Sequence, residues 1–330
     1  MPFSDIEAQD GALRVLRRAL DAQRLGQAYL LWGPSGVGKQ RVALALGRAA
    51  LCPVAPGEGC DACEICRRIN QGSHPDVRIF EPRDEGNRNL QVDYLRSEIL
   101  PIAKFAPFEG EHAFLIFPQA DVSFPVQHPE AANALLKTLE EPRPRVHFML
   151  LSERPDRLLT TIRSRCQRVR FAPLPASVLE RILERRGVPE SARHAAVALA
   201  GGRADRALEL CADDRAQRVL DLALRVDAAL GAGNPAELLE LAEGLAQSDD
   251  RTLALESLAG YYRDIAAHGL GLAHGELAFR HQADLIAARA AELTPAAAAE
   301  RVAKIQQVRE DLESSNANPE LALDGLLFGL

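Results

Sequence analysis

At 330 residues with a formal net charge of −7, the chain is long enough for two or three domains, each with its own core. Its acidic balance argues against a protein whose main task is gripping nucleic-acid phosphates, though not against a local basic patch. No uncharged apolar run reaches the roughly 18 residues a membrane helix needs, and Met1 to Asp5 lacks the basic start and apolar stretch of a signal peptide, so a cytoplasmic protein is expected.

Asp5 to Gln23 has the spacing of an amphipathic helix, with Leu13, Leu16 and Leu20 on one face and Arg14, Arg17 and Arg18 on another. Ala28 to Trp32 reads as a buried strand that runs into Gly33-Pro34-Ser35-Gly36-Val37-Gly38-Lys39-Gln40, and Lys39 to Leu51 returns to helical spacing. Strand, glycine loop and helix in that order are the setting of a phosphate-binding P-loop. Residues 52–76 form a loop-rich insert. Val77 to Phe80 is strand-like, a polar loop runs through Asn89, and Val92 to Ile102 suits a helix. His112 to Phe117 reads as a second buried strand, Ala131 to Glu141 as a helix stopped by Pro142, and Val146 to Leu151 as a third buried strand. Alternating strands and helices imply a mainly parallel sheet covered on both faces. From Pro173 the strand-like runs disappear. The rest reads as a small helical unit to about residue 210 and an all-helical domain beyond it, in which the apolar face of Val219 to Leu230 is expected to be core.

In the glycine loop, Gly33, Gly36 and Gly38 allow backbone N–H groups to turn toward a phosphate, and Lys39 could reach its oxygens. The working pattern ends in Ser or Thr, whose hydroxyl holds Mg²⁺; here the position is Gln40. An acidic residue is also needed at the tip of a later strand, where this chain has Phe117-Pro118. Asp121, about four residues late, is read as a solvated turn carboxylate. These two losses make hydrolysis by the chain itself improbable on chemical grounds, and nucleotide binding doubtful.

Cys52, Cys60, Cys63 and Cys66 are spaced x7, x2 and x2. Four thiolates suit tetrahedral Zn²⁺, and with every position filled by protein the metal would be structural. His74 is read as an ordinary loop histidine. Ser164-Arg165-Cys166 follows the third strand and would present an arginine at the rim of the domain, where a planar charged fork matches phosphate oxygens.

Together with Gly72-Ser73-His74-Pro75-Asp76 and Asn133-Ala134-Leu135-Leu136-Lys137-Thr138-Leu139-Glu140-Glu141-Pro142, these segments make the chain similar to the AAA+ clamp-loader proteins of bacterial DNA replication. The likeness extends to Asn316-Ala317-Asn318-Pro319-Glu320-Leu321, which looks like the family's closing helix. The resemblance implies a P-loop AAA+ domain over 1–170 with a zinc insert at 52–66, a helical lid over 171–210 and a helical oligomerisation collar over 211–330. It implies an open hetero-pentameric ring with gamma/tau-type motor subunits and a delta subunit, acting on a sliding clamp and primed DNA. Gln40 and Phe117 match a stator-type member without ATPase activity of its own. In that role Arg165 would reach ATP on a neighbouring motor subunit as an arginine finger in trans, with Ser164 and Cys166 shaping its loop. No sensor role is assigned to Arg203 or Arg206, and no function to the Pro-rich stretch 121–130. The rival expectations are a hydrolysing motor subunit of the same family and a zinc-dependent nucleic-acid-binding module.

Overall fold

The computed structural model describes residues 2–81, 92–126, 129–141, 143–212, 215–272, 277–314 and 318–330. The expected polar loop through Asn89, Gln127 and His128 of the Pro-rich stretch, Pro142, and Asn316-Ala317 fall outside the described residues. The chain divides into two compact units, Met1–Pro173 and Leu174–Leu330.

The first unit is an α/β domain. Helix α1 (Asp10–Asp21) leads to β1 (Ala28–Trp32), α2 (Lys39–Leu51), α3 (Glu64–Asn70) and β2 (Val77–Ile79). A broken helical segment follows, made of α4 (Val92–Tyr94), a π-helical stretch Leu95–Ile99 and α5 (Leu100–Lys104). Then come β3 (Ala113–Phe117), α6 (Ala120–Ser123), α7 (Glu130–Glu140), β4 (Val146–Ser152), α8 (Thr160–Arg163) and β5 (Gln167–Arg170). The strands form one sheet in the order β2-β3-β4-β1-β5, and every pairing is parallel. A parallel sheet must be covered on both faces, which is why β3 and β4 are buried along their whole length. Leu30, Leu115, Phe117, Phe148 and Leu150 point into one core with Leu135 and Leu139 of α7 and Ile162 of α8. Against the opposite face lies α2, close enough that a Cβ on Gly47 would meet Val77 at 3.3 Å and Phe114 at 3.7 Å.

Two expectations for this unit are corrected. The helix anticipated over Asp5 to Gln23 is a 3-10 turn, Phe3–Asp5, followed by α1; between them Ala8 takes φ +62, which no continuous helix allows. The strand β5 was not anticipated, because Val169 is its one buried residue and the others are polar and exposed.

The second unit is helical: α9 (Ala176–Arg185), α10 (Glu190–Leu199), α11 (Ala204–Leu210), α12 (Arg215–Ala232), α13 (Pro235–Gln247), α14 (Arg251–Gly269), a 3-10 turn Arg280–Gln282, α15 (Ala283–Glu292), α16 (Pro295–Ser314) and α17 (Pro319–Gly329). One core joins Ala195, Ala196, Ala198 and Leu199 of α10 and Leu210 with the inner faces of the later helices, including Val219, Leu220, Ala223 and Val226 of α12. The final helix starts on Asn318, whose Oδ1 accepts from Glu320 N at 3.0 Å, a standard N-cap.

Candidate functional site

The glycine loop is held from several sides. A Cβ on Gly33 (φ +152) would lie 2.3 Å from the Phe171 carbonyl oxygen, so only glycine fits where β1 leaves the sheet. Gly36 and Gly38 take φ +66 and +97, and Gly38 stands immediately before α2. Buried Gln9 is the brace that sequence reasoning missed. Its Nε2 donates to Val37 O (3.3 Å) and Ala172 O (2.9 Å), and its Oε1 accepts from Ala172 N at 3.1 Å. Lys39 is 9% exposed, and its ammonium donates to Gly33 O at 2.7 Å and Pro34 O at 2.5 Å. The charge that a P-loop turns on phosphate here clasps the loop's own carbonyls. The half-buried Gln40 beside it brings no hydroxyl.

The strand tip is equally unsuited to hold Mg²⁺. Phe117 is fully buried and packs on Phe80, Phe124 and Phe148 at ring-centroid distances of 5.4, 5.5 and 6.4 Å. Asp121 is not the solvated carboxylate expected. Gln119 turns the chain back at φ +52 to start α6, so Asp121 is 8% exposed and its Oδ1 accepts from Glu153 N at 3.2 Å, just beyond β4.

Arg165 lies on the short loop between α8 and β5. Cys166 is buried in the core with Ile162 and Leu135, and burial pushes its thiol up to about 12, so it is an anchor rather than a nucleophile. Ser164 Oγ donates to Thr161 O at 3.1 Å. With Cys166 fixed inward, the exposed Ser164 and Arg165 face outward. Its Nη1 donates to Thr161 O (2.8 Å) and its Nη2 pairs with Glu140 Oε1 (2.5 Å) at the end of α7. The partly exposed guanidinium is therefore held, in this chain, by a carboxylate of the Asn133–Glu141 segment.

The four cysteines converge. All their sulfur atoms lie within 4.8 Å of one another, and Cys52 Sγ is 3.8 Å from Cys63 Sγ. Zn–S bonds of about 2.3 Å in a tetrahedron put sulfurs about 3.8 Å apart, so the set fits a zinc ion. Backbone N–H groups of Ala55 and Cys60 donate to Cys52 Sγ, that of Cys63 to Cys60 Sγ and that of Cys66 to Cys63 Sγ. Such donors stabilise thiolates. Amides of Cys63 and Ala62 hold the Cys60 thiol down, at about 6, whereas burial pushes Cys66 up to about 12; a bound cation would hold all four as thiolates. The knuckle is tied to the body through Gly57 N to Ala49 O (2.8 Å) and Phe3 N to Glu58 O (2.9 Å).

His74 lies in the loop before β2, as expected, but it is buried there: it is 2% exposed, its Nδ1 accepts from Asp76 N at 3.1 Å, and burial lowers its pKa. Asp76 is 3% exposed and accepts three amides, Phe108 N at 2.5 Å, Glu109 N at 2.8 Å and Gly110 N at 2.8 Å. The segment Gly72–Asp76 is thus structural, organising the turn before β3. In the second unit Arg203 pairs with Asp205 and Arg206 with Glu256.

A family model described as "DNA polymerase III, delta subunit" matches residues 8–175, and one described as "DNA polymerase III, delta subunit, C terminal" matches 223–330. The chain is 35% identical over 188 residues to "DNA polymerase III subunit delta'" of Bacillus subtilis, covering 57% of this chain and 55% of that protein. It is 36% identical over 180 residues to the protein of the same name from Pseudomonas aeruginosa, covering 53% and 52%. Against "DNA polymerase III subunit tau" of Bacillus subtilis it is 34% identical over 178 residues, covering 54% and 30%. The chain thus spans about half the length of the curated delta' relatives it matches.

Proposed function

The chain belongs to the DNA polymerase III delta-subunit family, and from that premise we propose that it is the delta'-type stator of a clamp loader. It does not hydrolyse ATP; it supports ATP-dependent loading of a sliding clamp onto primed DNA in the cytoplasm. The observation that carries this reading is the pairing of a disabled glycine loop with an outward arginine. Gln40 and the buried Phe117 remove both Mg²⁺-holding positions, while Arg165 is presented on a loop anchored by Cys166. In the ring, Arg165 leaves Glu140 and places its fork on the γ-phosphoryl oxygens of ATP bound to a neighbouring gamma/tau-type motor subunit, stabilising charge that develops there.

The remaining parts follow the same assignment. Residues 1–170 serve as the AAA+ nucleotide-binding-like domain, 171–210 as the lid and 211–330 as the collar that joins motor and delta subunits in a pentameric ring. Cys52, Cys60, Cys63 and Cys66 hold one structural Zn²⁺, which fixes the knuckle and supplies no reaction chemistry. Similarity to a tau subunit motivates a second reading, a hydrolysing motor; the buried phenylalanine at the strand tip disfavours it.

The test uses the full chain alone and with candidate motor and delta subunits. The isolated chain should show no ATP turnover above background, and its addition should restore clamp loading by the incomplete complex. Turnover by the isolated chain at an ordinary enzymatic rate, or loading that is indifferent to its addition, would overturn the reading.

A further inference from the structure

We propose that Glu180, His194 and His281 form a second metal site, for a divalent transition ion such as Zn²⁺, separate from the four cysteines. The residues come from three elements of the second unit: Glu180 from α9, His194 from α10 and His281 from the Arg280–Gln282 turn. One donor atom from each lies within 4.8 Å of the other two. His281 Nε2 is 3.0 Å from Glu180 Oε1, and the two imidazoles stack with centroids 3.4 Å apart and planes 12° from parallel.

Two imidazoles and a carboxylate are a proven zinc donor set. Arg280 pairs with the other oxygen of the same carboxylate, Oε2. That is the outer contact that orients a ligating carboxylate and leaves Oε1 turned toward the histidines. A fourth donor stands close by: Glu190 Oε1 is 3.9 Å from His194 Nε2 on a largely exposed side chain. An ion with bonds of about 2.1 Å needs donors about 3.4 Å apart. The cluster therefore closes on it by rotation of partly exposed side chains, with the His194 ring swinging out of the stack to aim a nitrogen inward.

The simpler alternative is an ion pair of Glu180 with Arg280 and His281, on which His194 merely rests. That alternative gives His194 no role. Among the described residues this half-buried imidazole has no hydrogen bond; it stacks on His281, lies 3.9 Å from Glu190 Oε1 and feels the charges of Glu180 and Arg193. A metal uses both histidines, and it ties α9 and α10 to the turn before α15. The proposal stands apart from the clamp-loader reading, since it needs only the folded chain.

The experiment is a titration of the full chain, its cysteine site already filled with Zn²⁺, with Co²⁺ and separately with Zn²⁺. One further equivalent should bind. The added Co²⁺ should show ligand-field bands without thiolate-to-metal charge transfer, and Zn²⁺ should raise the melting temperature of the helical unit. His194→Gln and His281→Gln, both at partly exposed positions, should fold, retain the cysteine-bound zinc and weaken the added ion by about tenfold or more. Absence of a further equivalent would overturn the proposal, as would binding that both histidine variants leave unchanged.

Discussion

Replacing Asp76 by Ala should destabilise the first unit by about 3 kcal/mol, with Asp76→Asn falling between. The carboxylate is buried and accepts the amides of Phe108, Glu109 and Gly110. Hydrogen bonds to a charged group contribute about 1.5–3 kcal/mol each. The simple sum is too large, because the three form one network and the turn lies at the surface, where water rehydrates released amides. Asparagine keeps one acceptor oxygen, which can serve two of the three amides, while its NH₂ faces the third; its cost should be about 2 kcal/mol. Trp32 is the single tryptophan and lies in the first unit beneath Arg170, whose guanidinium carbon is 5.4 Å from the ring centroid. Its fluorescence in urea therefore reports this unit selectively. The midpoint should fall in the order Asp, Asn, Ala at constant m. An Ala variant within about 0.5 kcal/mol of wild type, or an Asn variant equal to it, would refute the assignment of Asp76 as the keystone of that turn.

Three further outcomes are expected. His147 is buried, with Nδ1 on Gly26 O and Nε2 on His112 Nδ1, and burial lowers its pKa to about 4. Because the folded value lies below the ordinary value near 6.5, the unfolded chain takes up the proton first. Stability is full above about pH 6.5 and falls as pH drops toward 4, by roughly 2 kcal/mol at pH 5; the urea midpoint of His147→Phe should show a correspondingly flatter pH slope. Lys39→Met removes the clasp on Gly33 and Pro34 and should lower stability by about 1–3 kcal/mol, yet leave clamp loading within about twofold of wild type; a loss matching a motor-subunit P-loop variant would contradict this. Metal analysis of anaerobically prepared protein should find zinc held by the four cysteines, and strong chelation or Cys63→Ser should lower the Trp32-reported midpoint; protein without zinc and without that sensitivity would contradict the assignment.

Elements with a continuous apolar run were legible in the sequence: β1, β3 and β4 read as buried strands because both their faces are covered. β5 was not legible, since an edge strand that pairs only with β1 needs one buried side chain and Gln167, Arg168 and Arg170 look like loop. The glycine loop, the cysteines and Arg165 stood out because their chemistry depends on local spacing. Their supports depend on chain reversal. Gln9 reaches a carbonyl 163 residues away, Asp76 reaches amides 32 to 34 residues on, and Arg165 meets a carboxylate 25 residues back. The same cause explains why Asp121 looked solvated: nothing in its neighbours along the chain shows what folds over it.

The most direct test of the stator assignment is DNA-stimulated ATP turnover by a loader reconstituted with Arg165→Ala. The side chain makes two exposed contacts, so the variant should fold with a loss of no more than about 1 kcal/mol. An arginine finger is worth about 10³–10⁵ in rate at the site it serves. The variant complex should therefore lose the turnover of the neighbouring motor site and load clamps more slowly, and Arg165→Lys, which keeps the charge without the fork, should not restore it. Turnover and loading equal to wild type, in a complex that assembles normally, would show that Arg165 does not act on a neighbour's nucleotide.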